Sequence, residues 1–265
     1  MDIIEAIEKR RSVRTFNGIP LSDDIREELL SIIDSSRDPF GGSVTIRLRR
    51  FDTKGEYRPG TYGIIRGASD FFLVGMADDS QSSLSAGFRF EQVVLQARQL
   101  GLGTCWIGAT FKGSDFDRNE TWPDGEHLKA VSPVGIARNP GIMEKLTRLA
   151  AGSNGRKPFD ELFRNAGHDR NGIGPDNRFR KALEMMRLAP SSTNSQPWRA
   201  IVDGEEVHFY CRQKNSWSML DCGIGLCHFC LTEEHYGHPG QFIKTDIRPD
   251  APAEWLYITS YRRCR

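Results

Sequence analysis

The period of apolar positions changes several times along the chain, and each change marks a predicted element. Ile3, Ile4, Ala6 and Ile7 share one helical face, so residues 2–9 read as a short amphipathic helix. A turn at Asn17-Gly18-Ile19-Pro20 leads to Ser22, whose position before Asp23 and Asp24 is an N-cap signal for a helix over 23–34. Val44, Ile46 and Leu48 then alternate with polar residues, which predicts a strand over 43–51. The unbroken apolar run inside 70–77 predicts a strand buried on both faces. Helical spacing returns over 84–100, with Phe88, Val93, Val94, Leu95 and Ala97 inward and Gly101 at the C-terminal cap. A strand follows over 131–137, ending near Asn139-Pro140-Gly141, and a helical turn over 159–163. Residues 165–176, polar and with three glycines and one proline, read as a linker.

After that linker the same order starts again. A helix is predicted over 177–188, strands over 200–202 and 207–211 joined through Asp203-Gly204, a helix over 216–235 closed by 237–240, and a strand over 255–260. Residues 24–51 parallel 177–202, and 87–106 parallel 223–242. The pattern predicts an α+β fold, a mainly antiparallel sheet with helices packed on it, duplicated. The two halves would be 1–165 and 166–265.

Composition narrows the functional classes. Lys plus Arg is 36 and Asp plus Glu is 35, for a formal net charge of +1. That balance gives no general electrostatic argument for nucleic acid or an anionic membrane. Mean hydropathy is −0.49 and no apolar run approaches a membrane span. The N-terminus has acidic residues and no hydrophobic signal core, so a cytoplasmic, reducing location is expected, with the six cysteines as free thiols.

Four stretches carry candidate chemistry. Ala189-Pro190-Ser191-Ser192-Thr193-Asn194-Ser195-Gln196-Pro197-Trp198 packs hydroxyls and carboxamides between a proline and a Pro-Trp pair. A polar turn accounts for the composition; the brackets favour a rigid loop suited to a flat, hydrogen-bonding ligand. Lys9 to Thr15 holds four cations and two hydroxyls in seven residues, read either as a solvated turn or as an anion site. Gly101-Leu102-Gly103-Thr104-Cys105-Trp106-Ile107-Gly108 permits close backbone approach but lacks the dinucleotide spacing. Gly152 to Pro158 is a flexible loop carrying Arg156 and Lys157. The halves do not repeat these motifs: the counterpart of the Pro-Ser-Ser loop, 35–42, lacks the Asn and Gln. One complementary set of parts points to one site built across both halves. Cys222, Cys227 and Cys230, with Cys264, match an iron–sulfur spacing numerically, but Leu220, Ile224, Cys227 and Leu231 fall at core helical spacing. The histidines form no paired zinc motif, and Ser191 and Ser192 lack a nucleophile elbow.

Together the Arg-Arg-Ser-Val-Arg run, the Gly-Leu-Gly-Thr segment, the basic pair and the Pro-Ser-Ser-x-Asn-x-Gln-Pro-Trp loop resemble the nitroreductase family of FMN-dependent oxidoreductases. The set touches most of the length and is specific as a set. The resemblance implies a nitroreductase-like fold. Members are normally homodimers with each flavin at the interface; here two fused halves would form an intramolecular pseudo-dimer, itself monomeric or paired again. It implies one FMN per chain. Arg10, Arg11 and Ser12 would hold its phosphate and ribityl, Arg14 would lie near the pyrimidine end, and Trp106, Ile107 and Gly108 would approach the ring. Pro190, Ser191, Ser192 and Asn194 would line it from the other half, and Arg156 with Lys157 would complete the phosphate site. NADH or NADPH would donate hydride, and a nitroaromatic, quinone or similar small molecule would accept it. A non-catalytic flavin-binding or sensing protein is the alternative.

Overall fold

The computed structural model describes residues 1–51, 59–138, 155–167 and 172–264. The expected turn at Asn139-Pro140-Gly141, the start of the basic loop (Gly152-Ser153-Asn154) and the middle of the 165–176 linker lie outside the described residues.

Helix α1 spans Ile3–Lys9, its first turn capped by Asp2, whose carboxylate accepts from the Glu5 amide at 2.8 Å. Helix α2 spans Asp23–Ser35. Ser22 holds the N-cap position as predicted, but its side chain makes no cap hydrogen bond. Buried Asp70 organises this corner instead, accepting from the Leu21 amide at 3.0 Å and pairing with Arg26 and Arg50.

The first sheet contains β1 (Val44–Arg50), β2 (Asp70–Ala77), β3 (Gly103–Thr104) and β4 (Glu126–Gly135), in the order β1-β2-β4-β3. Helix α3 (Ser80–Gln99) joins β2 to β3, and a short helix α4 (Gly113–Asp117) precedes β4. Helix α3 begins four residues before the predicted start, because Asp79 caps it by accepting from the Ser82 amide at 2.7 Å. The second sheet contains β6 (Trp198–Asp203), β7 (Glu206–Arg212), β8 (Gly240–Ile243) and β9 (Trp255–Arg263), in the order β6-β7-β9-β8. Helix α7 (Ser218–His235) joins β7 to β8, and α6 (Arg180–Arg187) precedes β6. Strand for strand, the two orders are the same. Each also carries a register irregularity at a corresponding place, between Val74 and Gly75 in β2 and between Phe209 and Tyr210 in β7.

The halves meet where α3 crosses α7, and the contact is reciprocal. A Cβ on Gly87 would lie 2.0 Å from the Leu220 carbonyl oxygen; a Cβ on Gly223 would lie 2.1 Å from the Leu84 carbonyl oxygen. Each leucine stands three residues before the glycine of its own helix, so the same patch is used twice, as at a two-fold interface. A glycine on each side lets the backbones touch. Around this crossing one hydrophobic core takes residues from both halves, Phe72, Phe88 and Leu95 beside Phe209, Leu226 and Phe229. After a short helix α5 (Phe159–Leu162), strand β5 (Phe163–Asn165) pairs parallel with β6 at the edge of the second sheet. The chain leading out of the first sheet thus completes the second. The fold is α+β with two halves packed as an intramolecular pseudo-dimer.

A smaller cluster, Val13, Phe16, Phe71, Leu73, Ile107 and Phe116 among it, covers the other face of the first sheet. This explains the unbroken apolar run of β2: seven of its eight residues are buried because both faces are covered.

Candidate functional site

The loop after α6 is rigid and strained. Thr193, Asn194 and Gln196 have φ of 50°, 55° and 48°. That region is uncommon for non-glycine residues and especially costly for a β-branched one, so the surroundings must enforce it. They do. The Ser192 amide donates to both oxygens of Asp221 at 3.0 Å, and the Ser195 hydroxyl donates to the same carboxylate at 3.3 Å. The Gln196 amide donates to Ser191 Oγ at 3.0 Å, and Gln196 Oε1 accepts from the Lys157 amide at 2.8 Å. Trp198, fully buried, anchors the far end. Asp221 comes from α7 and is 2 % exposed. Its burial pushes its pKa up to about 7, against the lowering effect of the Ser192 and Ser195 hydrogen bonds.

The Arg-Arg-Ser run is equally fixed. The Val13 amide donates to the Thr104 carbonyl at 2.8 Å, Ser12 pairs with Thr104 and Thr15 with Arg66 in strand fashion, and Arg14 O accepts from the Arg66 amide at 2.9 Å. The run therefore lies along the Gly-Leu-Gly-Thr segment. Gly103 is required there, since a Cβ would sit 2.7 Å from Val13 Cγ2. Arg10 ends α1 with its Nε buried, without a hydrogen-bond partner among the described residues and 3.9 Å from Glu91 Oε1. Arg11 is exposed and lines a small cavity with Arg98 and Thr104, while Arg14 is half-buried.

Arg156 meets both groups. It donates to Asn194 Oδ1 at 3.3 Å and to the Leu188 carbonyl at 3.1 Å, while Asn194 Nδ2 donates to Gly155 O at 2.8 Å. Burial, then repulsion from Arg10 and from Arg187, holds the Arg156 guanidinium below the usual arginine range. Lys157 turns elsewhere, to Glu161 at 3.0 Å. Of the basic pair it is Arg156 that is grouped with Arg10. Trp106 follows β3 and donates from Nε1 to Glu91 Oε2 at 2.7 Å; Ile107 pairs with Val131; and the Trp217 ring covers Gly108, 3.0 Å from where a Cβ would be.

The structure thus gathers Arg10 and Trp106 at Glu91, and Arg156 at Asn194, with Arg10 near enough to Arg156 to repel it; Ser191 and Ser192 are held in the same loop as Asn194, and Pro190, half-buried, leads into it. Sequence reasoning missed Glu91, Asp221, Trp217 and His228. Glu91 and Asp221 carried a faint signal, each being an acid in a helix whose surrounding positions are mostly buried. Cys222, Cys227 and Cys230 lie buried within α7, where burial pushes all three thiols up, and form no disulfide. Among the described residues, no cluster of His, Cys, Asp and Glu is placed to hold a metal, and no helix is long and apolar enough to cross a membrane.

Among solved structures, the chain is similar to a putative nitroreductase from Thermotoga maritima, with a TM-score of 0.63 at 20% identity over 99% of this chain and 93% of that one. It is also similar to a nitroreductase family protein from Clostridium difficile 630, with a TM-score of 0.45 at 18% identity over 61% of this chain and 96% of that one. An FMN-dependent nitroreductase from Clostridium difficile R20291 matches with a TM-score of 0.42 at 16% identity, over 52% of this chain and 89% of that one. No curated protein matches the chain. The model of the family described as "Putative TM nitroreductase" matches residues 2–233, and the chain belongs to that nitroreductase family.

Proposed function

We propose that the chain binds one FMN across its two halves and passes hydride from NADH or NADPH to a nitroaromatic, quinone or similar small acceptor. The observation that carries this reading is the meeting of Arg10, Arg156 and the Asn194 loop. Arg10 has a buried Nε without a hydrogen-bond partner among the described residues, and Arg156 is crowded by two further guanidiniums. A dianionic phosphate would complement the positive potential that these neighbouring guanidiniums create. The residues present therefore fit the cofactor.

FMN, when bound, supplies the hydride chemistry itself. The chain's own residues bind and orient it. Arg10, Arg11, Ser12 and Arg156 would hold the phosphate and ribityl; Lys157, its charge offset by Glu161, would contribute chiefly through its place in the chain beside Arg156. Trp106, Ile107 and Gly108 would give one wall, with Trp217 excluding water beside it. Pro190, Ser191, Ser192 and Asn194 would give the other, presented in a fixed shape by Asp221. Arg14 would be the cation at the pyrimidine end, where negative charge develops. The halves 1–165 and 166–265 would be a fused duplication in which one site is kept, in a cytoplasmic enzyme that is a monomeric pseudo-dimer or pairs again.

The test is the visible spectrum of the purified chain, with released flavin identified and counted, followed by NADH and NADPH oxidation with a quinone or nitroarene. About one FMN per chain, and a loss of affinity of tenfold or more in Arg156→Ala, are expected. A chain that takes up no flavin when FMN is added refutes the reading. A chain that holds FMN without turning over refutes the enzyme and leaves a flavin-binding protein.

A further inference from the structure

Glu91 is an acid with no exposed surface, placed where the two halves join. Its Oε2 accepts from Trp106 Nε1 at 2.7 Å, and its Oε1 faces His228 Nε2 at 2.9 Å, with Arg10 Nε 3.9 Å away. His228, from α7 of the second half, is also wholly buried, and its Nδ1 faces the Met185 carbonyl at 3.1 Å. A carbonyl oxygen can only accept, so Nδ1 carries a hydrogen. The contact between Nε2 and Oε1 then requires one further proton, shared by imidazole and carboxyl. Every atom of the pair has a directed partner, and no part of it is solvated. Such a buried network costs stability unless it is complete, and when complete it fixes one arrangement.

We propose that Glu91 is a positioning residue for the candidate site, acting through Trp106 and held by His228 across the junction of the halves. The carboxylate orients the indole and with it the 106–108 backbone. Its proximity to Arg10 ties the same point to the cationic cluster. Because His228 belongs to the opposite half, the wall at Trp106 and the loop at Asn194 keep their spacing only while the pair is intact. This rests on the flavin-binding reading above.

The test uses the full chain, measuring the Trp106 indole N–H resonance in tryptophan-labelled protein and the dissociation constant for FMN. Glu91→Ala is expected to move that resonance and to weaken FMN binding about tenfold. Glu91→Gln should restore most of the affinity, since the amide oxygen accepts from Trp106 and the amide nitrogen donates to His228 Nε2. Trp106→Phe should cost about as much as Glu91→Ala, and the double variant no more than either alone, because both remove one contact. If Glu91→Ala does not fold, Trp106→Phe with and without Glu91→Gln decides the matter. A loss in Trp106→Phe that Glu91→Gln does not deepen supports the proposal. Wild-type affinity in Glu91→Ala or in Trp106→Phe, additive losses, or a Glu91→Gln chain as impaired as Glu91→Ala would each overturn it. A wild-type chain that binds no FMN refutes the proposed function and this inference with it; variants that bind as wild type refute this inference alone.

Discussion

Asp221 has the sharpest consequence at the scale of the single residue. Its folded pKa is about 7, raised by burial from an ordinary value of 3.8. The fold therefore favours the neutral acid. The contribution is fully present below about pH 4 and is lost as pH rises through about 7, where ionising Asp221 in place costs on the order of 4 kcal/mol. Asp221→Asn keeps an acceptor for the Ser192 amide and cannot ionise. Urea midpoints measured from about pH 5 to about pH 8 should therefore fall more steeply for the wild type than for this variant, with the variant the more stable of the two at about pH 8. Parallel pH profiles would show that Asp221 does not carry this charge penalty. The loop that Asp221 holds was legible in the sequence, because proline and Pro-Trp brackets around Ser, Thr and Asn leave few conformations. Its anchor was not. An acid among buried helix positions reads as a core exception until the Ser192 amide and Ser195 hydroxyl are seen to point at it from a distant segment. The different placement of Arg156 and Lys157 was illegible for a related reason: the partners that separate two adjacent cations, Asn194 and Leu188 for one and Glu161 for the other, come from distant or folded positions.

Among the elements, the crossing of α3 and α7 decides most. A helix-interior glycine normally costs about 1 kcal/mol relative to alanine, so an exposed Gly→Ala change would stabilise. Here the sign reverses. The added methyl at Gly87 or Gly223 meets a backbone carbonyl, which cannot rotate aside as a side chain would. Gly87→Ala and Gly223→Ala should each lower stability by about 2–4 kcal/mol in chemical unfolding. The double variant should cost less than the sum, since the first methyl already parts the helices. A gain in stability from either would mean that the backbones are not in contact. Long periodic segments such as these two helices were legible, as were the buried strand β2 and the hairpin of β6 and β7. The short pieces were not. β5 and β8 have three and four residues, too few for alternation to register, and their strand character comes from the neighbour that pairs with them. β4 begins five residues before its predicted start, at Glu126, because the Asp70–Ala77 strand beside it extends the ladder past the apolar residues.

For the whole molecule, the matching strand orders and the reciprocal glycine contact describe two halves, yet the packing describes one folding unit. Phe72, Phe88, Phe209 and Phe229 belong to a single core, and β5 leaves the first half to close the edge of the second sheet. Neither half keeps its apolar surface covered without the other. The repeated order of elements was readable from the sequence because periodicity repeats in order, whereas the sharing of one core was not, since periodicity shows that a face is buried and not what buries it. Thermal unfolding of the full chain should accordingly be a single calorimetric transition, with calorimetric and van't Hoff enthalpies in agreement. FMN in excess should move that one transition upward as a unit, by an increment that grows with the logarithm of its concentration, because a ligand bound across both halves stabilises them together. Two resolved transitions, or an FMN shift confined to one of them, would show that the halves unfold independently and that the flavin rests on one half alone.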